Sequence, residues 1–315
     1  MTAIRQPSGT AVALRDPLPW PAFASAARAA EAMGYAGVFL PEIAGRDALA
    51  ALTGLAGETS TLLLGTGVLP MASRGPMLTA MGAATVQERS GGRMILGLGT
   101  GPAVPGALDG LRELVTRLRV LLHGALPRPN EVSTPLTLDL PAPIPIWISA
   151  LGPRALRLAG EIADGVLLNW CPPERVRQAT DLVAEGAASA DRAPGAVTIA
   201  VYIRASLGGD EEAAMEALRR ATGEYASYPA YARQFAAVGL GDEAAAAAAA
   251  HSARRPMDVP ERLIRAITLV GDAGGARERL QAYRDAGADL SVVYPVLAGT
   301  DPAASLDTTL RALAP

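Results

Sequence analysis

The sequence predicts an α/β protein in which eight parallel strands alternate with helices. Short apolar runs rich in Val, Ile and Leu recur along the chain, and longer segments with helical spacing of apolar residues separate them. Eight such strands can close into a (β/α)8 barrel or form an open, doubly wound sheet. The periodicity of the apolar residues leaves both arrangements open.

The first half of the chain alternates regularly. We predict four strands, at residues 11–14, 37–40, 62–66 and 94–98, and helices at residues 22–33, 47–59, 77–89 and 108–122. The stretch 127–145 follows, and its repeated prolines exclude a regular helix or a central strand. We therefore expect a loop there.

The second half supplies four more strands. We predict them at residues 146–149, 165–168, 197–203 and 290–295, with helices at residues 153–162, 173–188 and 273–286. Residues 210–265 have a helical pattern but are more numerous than one crossover requires. We expect one domain over residues 1–315, with residues 210–265 as a helical insertion before the last βα unit.

The composition is that of a globular protein with a small-molecule partner. Of 315 residues, 50% are hydrophobic and 19% are charged, and the net charge of −3 comes without a basic run. Nucleic acid and membrane surfaces are therefore not expected partners. The apolar run 244–250 is far shorter than the roughly 20 residues of a membrane span, and no apolar leader follows Met1. A cytoplasmic location is expected.

The titratable residues exclude several kinds of catalysis. All 28 basic residues are Arg, so a Lys Schiff base and a P-loop Lys are ruled out. The chain has two His, His123 and His251, and one Cys, with no cluster of metal-ligand spacing, so we expect no metal site. We expect Cys171 to be buried rather than nucleophilic, and His123 to interact with a helix end through the helix dipole.

Glycines and small polar residues follow the predicted strands, where a barrel places its active site. Gly99, Thr100 and Gly101 follow the fourth strand, but the prolines behind them break the dinucleotide-binding pattern. The loop is therefore either an ordinary tight turn or part of a ligand site.

A second candidate follows the fifth strand, with the sequence Ser149, Ala150, Leu151, Gly152, Pro153. Gly permits close backbone approach, and Pro suits the first turn of a helix. Free amides at the positive end of that helix would suit a phosphate, although an ordinary helix start fits equally well.

Few acids lie near these loops. Glu42, after the second strand, could donate a proton if an apolar lid raised its pKa. It could instead pair with Arg46 or Arg74. Trp20 and Trp170 could flank a planar ring or belong to the core.

Collinear motifs extend along most of the chain. They are Phe39-Leu40-Pro41-Glu42, Gly45-Arg46-Asp47, Leu64-Gly65-Thr66-Gly67-Val68, Ser73-Arg74-Gly75-Pro76, Ser90-Gly91-Gly92-Arg93, Leu96-Gly97-Leu98-Gly99 and residues 145–153 and 158–169. Together they resemble the luciferase-like monooxygenase superfamily, and in particular its coenzyme F420-dependent branch, which includes methylenetetrahydromethanopterin reductases and glucose-6-phosphate dehydrogenases. The resemblance implies a closed (β/α)8 barrel, a homodimer, and an oxidoreductase that transfers a hydride between F420 and an organic small molecule.

The resemblance also implies where the cofactor would bind. A bulge with a non-proline cis peptide at Gly67–Val68 would support the ring, and Gly99, Thr100 and Gly101 would line its edge. Ser149, Ala150, Leu151, Gly152 and Pro153 would hold the phosphate. Asn169 ends the matched segment after the sixth strand and is expected to join the cofactor site.

Two positions depart from the sugar-phosphate dehydrogenases of the superfamily. Those members carry a His just after the strand-two acid and a Glu in the strand-four loop, where this chain has Ile43 and Pro102. Sugar oxidation by that mechanism is therefore not expected. Two alternatives to the F420 enzyme stay open: a flavin mononucleotide (FMN)-dependent monooxygenase and a non-catalytic cofactor-binding homologue.

Overall fold

The computed structural model describes residues 7–15, 17–101, 104–122, 136–193, 195–208 and 210–315. Its strands are β1 (Gly9–Ala13), β2 (Gly37–Leu40), β3 (Leu63–Thr66), β4 (Leu69–Pro70), β5 (Met94–Gly99), β6 (Ile146–Ser149), β7 (Gly165–Asn169), β8 (Thr198–Leu207), β9 (Thr268–Gly271) and β10 (Leu290–Pro295). Strand β10 pairs in parallel with both β1 and β8, and the remaining pairs run in the order β1, β2, β3, β5, β6, β7, β8. The sheet is therefore a closed eight-stranded (β/α)8 barrel, as the resemblance implied, and the doubly wound alternative is excluded.

Helices surround the barrel and connect its strands. They are α1 (Trp20–Ala32), α2 (Ala48–Ala56), α3 (Pro76–Ser90), α4 (Ala107–Leu122), α5 (Pro153–Ile162), α6 (Pro173–Ser189), α7 (Glu211–Ala226), α8 (Pro229–Ala236), α9 (Gly241–Ser252), α10 (Glu261–Ile267), α11 (Ala273–Asp285) and α12 (Pro302–Ala312). A 3-10 turn, Pro256–Asp258, lies between α9 and α10. Across the described ranges, none of the helices combines the length and the apolarity needed to cross a bilayer.

The structure adds elements that the sequence pattern did not reveal. Strand β8 continues to Leu207 instead of ending at residue 203, and its last four residues pair with β9. The pairing defines β9, which has no alternating pattern of its own. The two-residue β4 pairs with β5, and α12 forms after the last strand. The two short strands β4 and β9 depend on pairing with a neighbouring strand, so local sequence could not predict them.

Aromatic rings fill the middle of the barrel. Phe39 stacks on Trp147 with ring centroids 5.6 Å apart, and its ring meets the edge of Tyr202 at 6.4 Å. Tyr202 in turn contacts Tyr294 at 5.7 Å. These rings belong to a buried cluster whose other members are small or aliphatic residues of the surrounding strands. The barrel is therefore a packed core, and a ligand can bind only at its end.

Helices α7–α10 form a second apolar cluster beside the carboxyl end of the barrel. Its buried members include Phe235 and Trp170, the residue that follows β7. The Gln234 side chain of α8 donates hydrogen bonds to the carbonyl oxygens of Asn169 (2.9 Å) and Trp170 (2.7 Å). These contacts attach the helical segment to the end of β7. That this segment is an insertion within a single domain stays a prediction.

Candidate functional site

Between β3 and β4, which both pair in parallel with β5, the chain passes through the peptide bond predicted to support a ring. Gly67–Val68 is a cis peptide, as predicted. The Gly67 N–H donates to the Leu40 carbonyl (2.8 Å), and the Val68 carbonyl accepts from the Glu42 N–H (3.3 Å). A Cβ at Gly67 would lie only 1.6 Å from the Tyr202 hydroxyl oxygen. The bulge is thus held by β2 on one side and fits closely against β8 on the other, and it requires glycine.

The loop after β5 meets the bulge and the end of β6. A Cβ on Gly99 would lie 2.6 Å from Val68 Cγ2 and 2.9 Å from the Ser149 hydroxyl oxygen. The next side chain, Thr100, donates its hydroxyl to the Gly101 carbonyl (3.2 Å). Residues predicted from three separate loops, those after β3, β5 and β6, are therefore in close proximity at one end of the barrel.

Helix α5 begins at the end of the β6 loop without a side-chain cap. Gly152 is its N-cap residue, Pro153 occupies the first turn, and no side-chain hydrogen bond caps the helix among the described residues. Apart from the two chain neighbours of Gly152, no described residue places a heavy atom within 4 Å of where its Cβ would be. The buried Arg175 side chain donates to the Leu151 carbonyl (2.6 Å) and holds the turn in place. Helix-start amides without a side-chain cap suit an anion such as a phosphate.

Asn169 belongs to a different network. Its Oδ1 accepts a hydrogen bond from the Arg204 guanidinium, and its Nδ2 donates to the Tyr231 hydroxyl of α8 (2.7 Å). Burial is the largest cause that raises the pKa of Tyr231, to about 12, so this hydroxyl stays protonated. The structure therefore gives Asn169 partners on β8 and α8, and its contact with a cofactor stays a prediction.

Glu42 is fully engaged by neighbouring donors. Arg74 contacts both of its oxygens, through Nε to Oε1 (3.2 Å) and through Nη2 to Oε2 (2.7 Å). The Ala48 N–H at the start of α2 donates to Oε2 (3.0 Å), and the Ser73 hydroxyl oxygen lies 3.3 Å from Oε1 and 2.8 Å from its nearer acceptor, the Pro70 carbonyl oxygen. Arg74 also pairs with Asp47, at 2.6 Å. These contacts hold the Glu42 carboxyl group in place, and its proton-donor role stays a prediction.

The structure also tests the less specific expectations. Cys171 is buried, and burial raises the pKa of its thiol to about 12, which agrees with an unreactive side chain. Trp170 is 1% exposed and packs with Tyr225, so it belongs to the core. Ile43 is 73% exposed. Pro102, His123 and residues 127–135 of the expected Pro-rich loop lie outside the described residues.

Sequence reasoning missed two buried side chains that point into the barrel. The Tyr202 hydroxyl is buried with no hydrogen-bond partner in the described part of the chain, and burial raises its pKa well above the ordinary value. Arg204, two residues further along β8, is 4% exposed. The available signal was a charged residue within an apolar run. The predicted strand ended at residue 203, so Arg204 was left outside it.

The residues present fit a flat ring with a phosphate tail. The Tyr202 hydroxyl fills the place that a Cβ would take at Gly67, and Val68 and Ser149 fill it at Gly99, while the partly exposed Val68 presents an apolar side chain at this end of the barrel. The start of α5 lies one strand further along, next to Ser149. An apolar side chain therefore lies beside a helix start.

The closed parallel barrel, with the loops after β3, β5 and β6 meeting at its carboxyl end, defines a (β/α)8 protein. The sequence model of the luciferase-like monooxygenase family matches residues 2–290. The chain belongs to this family.

Several curated relatives are similar over part of the chain. One is a 5,10-methylenetetrahydromethanopterin reductase of Methanolobus tindarius, 32% identical over 61% of this chain and 63% of the relative. Another is a putative coenzyme F420-dependent oxidoreductase of Mycobacterium tuberculosis, 34% identical over 50% of this chain and 54% of the relative. The matched part of this chain spans less than two thirds of the length of these relatives.

Solved structures agree with the fold over nearly the whole chain. The coenzyme F420-dependent tetrahydromethanopterin reductase of Methanopyrus kandleri superposes with a TM-score of 0.80 at 23% identity, covering 98% of both chains. An F420-dependent secondary alcohol dehydrogenase, solved with an F420–acetone adduct, superposes with a TM-score of 0.78 at 18% identity, covering 97% of this chain and 98% of that one. At these identities the likeness establishes the fold.

Proposed function

We propose that this protein is an F420-dependent oxidoreductase acting on an organic small molecule. One observation carries the proposal: Val68, Gly99 and Ser149 meet at the carboxyl end of the barrel, next to the uncapped start of α5. The curated relatives named for F420 support the choice of cofactor. When bound, the cofactor would supply the hydride chemistry at its C5 carbon, and the protein would supply binding and orientation.

The proposed binding roles are those that the family resemblance implies. Gly67 and Val68 support the ring from beneath, and Gly99, Thr100 and Gly101 line its edge. The turn formed by Ser149, Ala150, Leu151, Gly152 and Pro153 binds the phosphate through main-chain amides at the start of α5. Asn169 closes the site from β7. A homodimer and a cytoplasmic location accompany this proposal as predictions.

Glu42 has two candidate roles. As a proton donor, Glu42 would have to give up hydrogen bonds that its carboxylate oxygens now accept. As an anchor, it would keep them and hold Arg74 and the start of α2 in place. The contacts favour the anchor. The Glu42→Gln variant separates the roles: loss of an anchor weakens F420 binding at every pH, whereas loss of a proton donor lowers kcat and alters its pH profile while the affinity for F420 is kept.

A fluorescence titration tests the cofactor. We expect saturable binding of F420 to the wild-type protein, with FMN binding more weakly. Gly75→Ala serves as the control that should bind F420 normally, because no described residue beyond its chain neighbours places a heavy atom within 4 Å of the new Cβ. Absence of saturable F420 binding would overturn the proposal.

Two further measurements separate the alternatives. Oxygen consumption that depends on reduced FMN would identify the FMN-dependent monooxygenase, because reduced deazaflavins react slowly with oxygen. Tight F420 binding without multiple turnovers over a broad panel of alcohols, ketones and enones would instead identify a cofactor-binding homologue.

A further inference from the structure

Arg204 is a buried cation at the carboxyl end of β8. Alternate side chains of a strand point to opposite faces, and Ala200 and Tyr202 belong to the cluster inside the barrel. Arg204 therefore points inward as well, roughly 7 Å further toward the carboxyl end than Tyr202, at about 3.3 Å per residue. That position is the mouth of the barrel, where a ligand of this fold binds.

The guanidinium of Arg204 lacks a negative partner among the described residues. It donates one hydrogen bond, to Asn169 Oδ1, and its remaining N–H groups have no acceptor in the described ranges. No ion pair with a described Asp or Glu joins it, although the residue is only 4% exposed. Burying an uncompensated charge costs several kcal/mol by the usual estimates, so a protein that keeps one there requires a reason.

Aromatic rings surround this cation. The Arg204 Cζ lies 4.0 Å from the ring centroid of Tyr294, 4.5 Å from that of Trp170 and 5.2 Å from that of Tyr225. Rings that stack on a guanidinium stabilise the positive charge and leave its N–H groups free at the edge. The rings thus hold Arg204 in one orientation without using its hydrogen-bonding capacity.

A second donor lies next to Arg204. Tyr231 accepts a hydrogen bond from Asn169 Nδ2, and its own O–H has no acceptor within the described part of the chain. Asn169 therefore links two groups whose remaining N–H or O–H donors are unused by the described residues: the Arg204 guanidinium and the Tyr231 hydroxyl. Two donors beside one positive charge match the two oxygens and single charge of a carboxylate better than a doubly charged phosphate.

The location of Arg204 relates it to the reacting end of the proposed cofactor site. Tyr202, its neighbour on the same face of β8, fits against Gly67 of the bulge. A group held by Arg204 would therefore lie above the bulge, on the opposite side of the mouth from the β2 loop. A substrate placed over the ring would reach Arg204 with its distal end.

From this arrangement we propose that Arg204, assisted by Tyr231, binds a carboxylate of the substrate. The assignment rests on the proposed function for its substrate, and it narrows that function to the oxidation or reduction of an organic acid. It makes Arg204 a specificity-determining residue, because the binding step requires a negative charge that a neutral analogue lacks.

Paired probes test this assignment on the protein with and without added F420. Propionate, isobutyrate and benzoate are each compared with their primary amides by calorimetry and by the change in tryptophan fluorescence, since Trp170 contacts Arg204. We expect at least one acid to bind about tenfold or more tightly than its amide, the contribution of a charge-assisted hydrogen bond. Arg204→Met should bring that ratio to near one, and Arg204→Lys, which keeps the charge without the planar fork, should retain part of it.

A matched control is available in Arg279. It also lies over a ring, with its Cζ 5.9 Å from the Tyr283 centroid, and it donates to the Ala266 carbonyl on the outer helices. Arg279→Met removes a cation from a ring without touching the mouth, so the acid-to-amide ratio should stay at the wild-type value. Circular dichroism of each variant reports its fold independently.

The outcomes are distinct. Absence of preference for every acid in the wild-type protein overturns the assignment without any variant, and persistence of the preference in Arg204→Met overturns the role of Arg204. If F420 binds while no acid is preferred, this inference alone fails. If F420 does not bind but an Arg204-dependent preference is present, the carboxylate site stands and the proposed cofactor fails.

Discussion

Two arginines at opposite ends of the barrel differ in how many hydrogen bonds their guanidinium groups donate. Arg93, at the amino end of β5, donates five hydrogen bonds, to the carbonyls of Ser90, Ala56, Thr59 and Leu62 and to the Thr59 hydroxyl. Arg204, at the carboxyl end of β8, donates one. Arg93 therefore stabilises the amino end of the barrel, whereas Arg204 keeps N–H donors at the carboxyl end for a bound ligand.

The largest effect on stability is expected at the amino end, where Arg93 donates its five hydrogen bonds. Arg93→Met should lower the free energy of unfolding by about 3 kcal/mol, because it leaves carbonyls without donors where water has little access. F420 affinity should stay near the wild-type value. Denaturant unfolding and the fluorescence titration measure the two quantities. The exposed Arg89 on the same helix–loop segment is the control, and Arg89→Met should change stability by less than about 0.5 kcal/mol. Loss of F420 binding in folded Arg93→Met would show that the two ends are not independent.

The second largest effect is expected at the Gly67–Val68 bulge, at the carboxyl end of the barrel. Gly67→Ala should lower the free energy of unfolding by about 2 kcal/mol, because the new Cβ overlaps the Tyr202 hydroxyl and overpacks the mouth. It should also weaken F420 binding by about tenfold or more, as the displaced bulge no longer supports the ring. Unfolding curves and F420 titrations test both. The change contrasts with Gly75→Ala, where nothing opposes the new Cβ. Normal F420 affinity in Gly67→Ala would remove the bulge from the site.

A smaller effect on stability is expected for Arg204→Met. The lost ring contacts are offset by removal of a buried charge without a negative partner, so the free energy of unfolding should change by less than about 1 kcal/mol. Denaturant unfolding compared with Arg93→Met checks this directly. If Arg204→Met lowered the free energy of unfolding as much as Arg93→Met does, Arg204 would be needed for stability, and the contrast between the two ends would disappear.

The smallest effect concerns Glu31, at the end of α1 on the amino side. One of its oxygens accepts from the N–H groups of Ser60 (2.9 Å), Thr61 (2.6 Å) and Leu62 (3.2 Å). Although burial acts to raise its pKa, these hydrogen bonds lower it from 4.5 to about 2. Since the folded-state pKa is lower, the carboxylate stabilises the fold above about pH 4.5, and this contribution is lost as the pH falls toward 2.

Glu31→Gln tests that pH dependence. The stability difference between wild type and variant should be constant near neutral pH and shrink between pH 4.5 and 2. Because the group is partly exposed to solvent and therefore screened, the difference should be about 1 kcal/mol or less. Unfolding midpoints measured from pH 2 to 7 give the profile, and a difference that does not change with pH would contradict the assignment.

Much of this arrangement was predictable from short-range pattern. The eight barrel strands and most helices followed from apolar periodicity, and Gly67–Val68 was placed at a cis peptide through the family resemblance. The resemblance also marked Gly99 and Ser149, which the structure brings into contact range of Val68. Such features depend on local sequence or on motifs that follow individual strands, so they could be predicted without knowing what lies opposite.

The sequence by itself determined the strands, the glycine loops and the family. The tertiary structure decided closure of the barrel, the saturation of Glu42 by Arg74 and Ala48, and the isolation of Arg204 among aromatic rings. The physical reason is that each of these features depends on residues distant in sequence. Strands must meet to close the barrel, and only the closed barrel brings the hydrogen-bond partners of a charged side chain within reach.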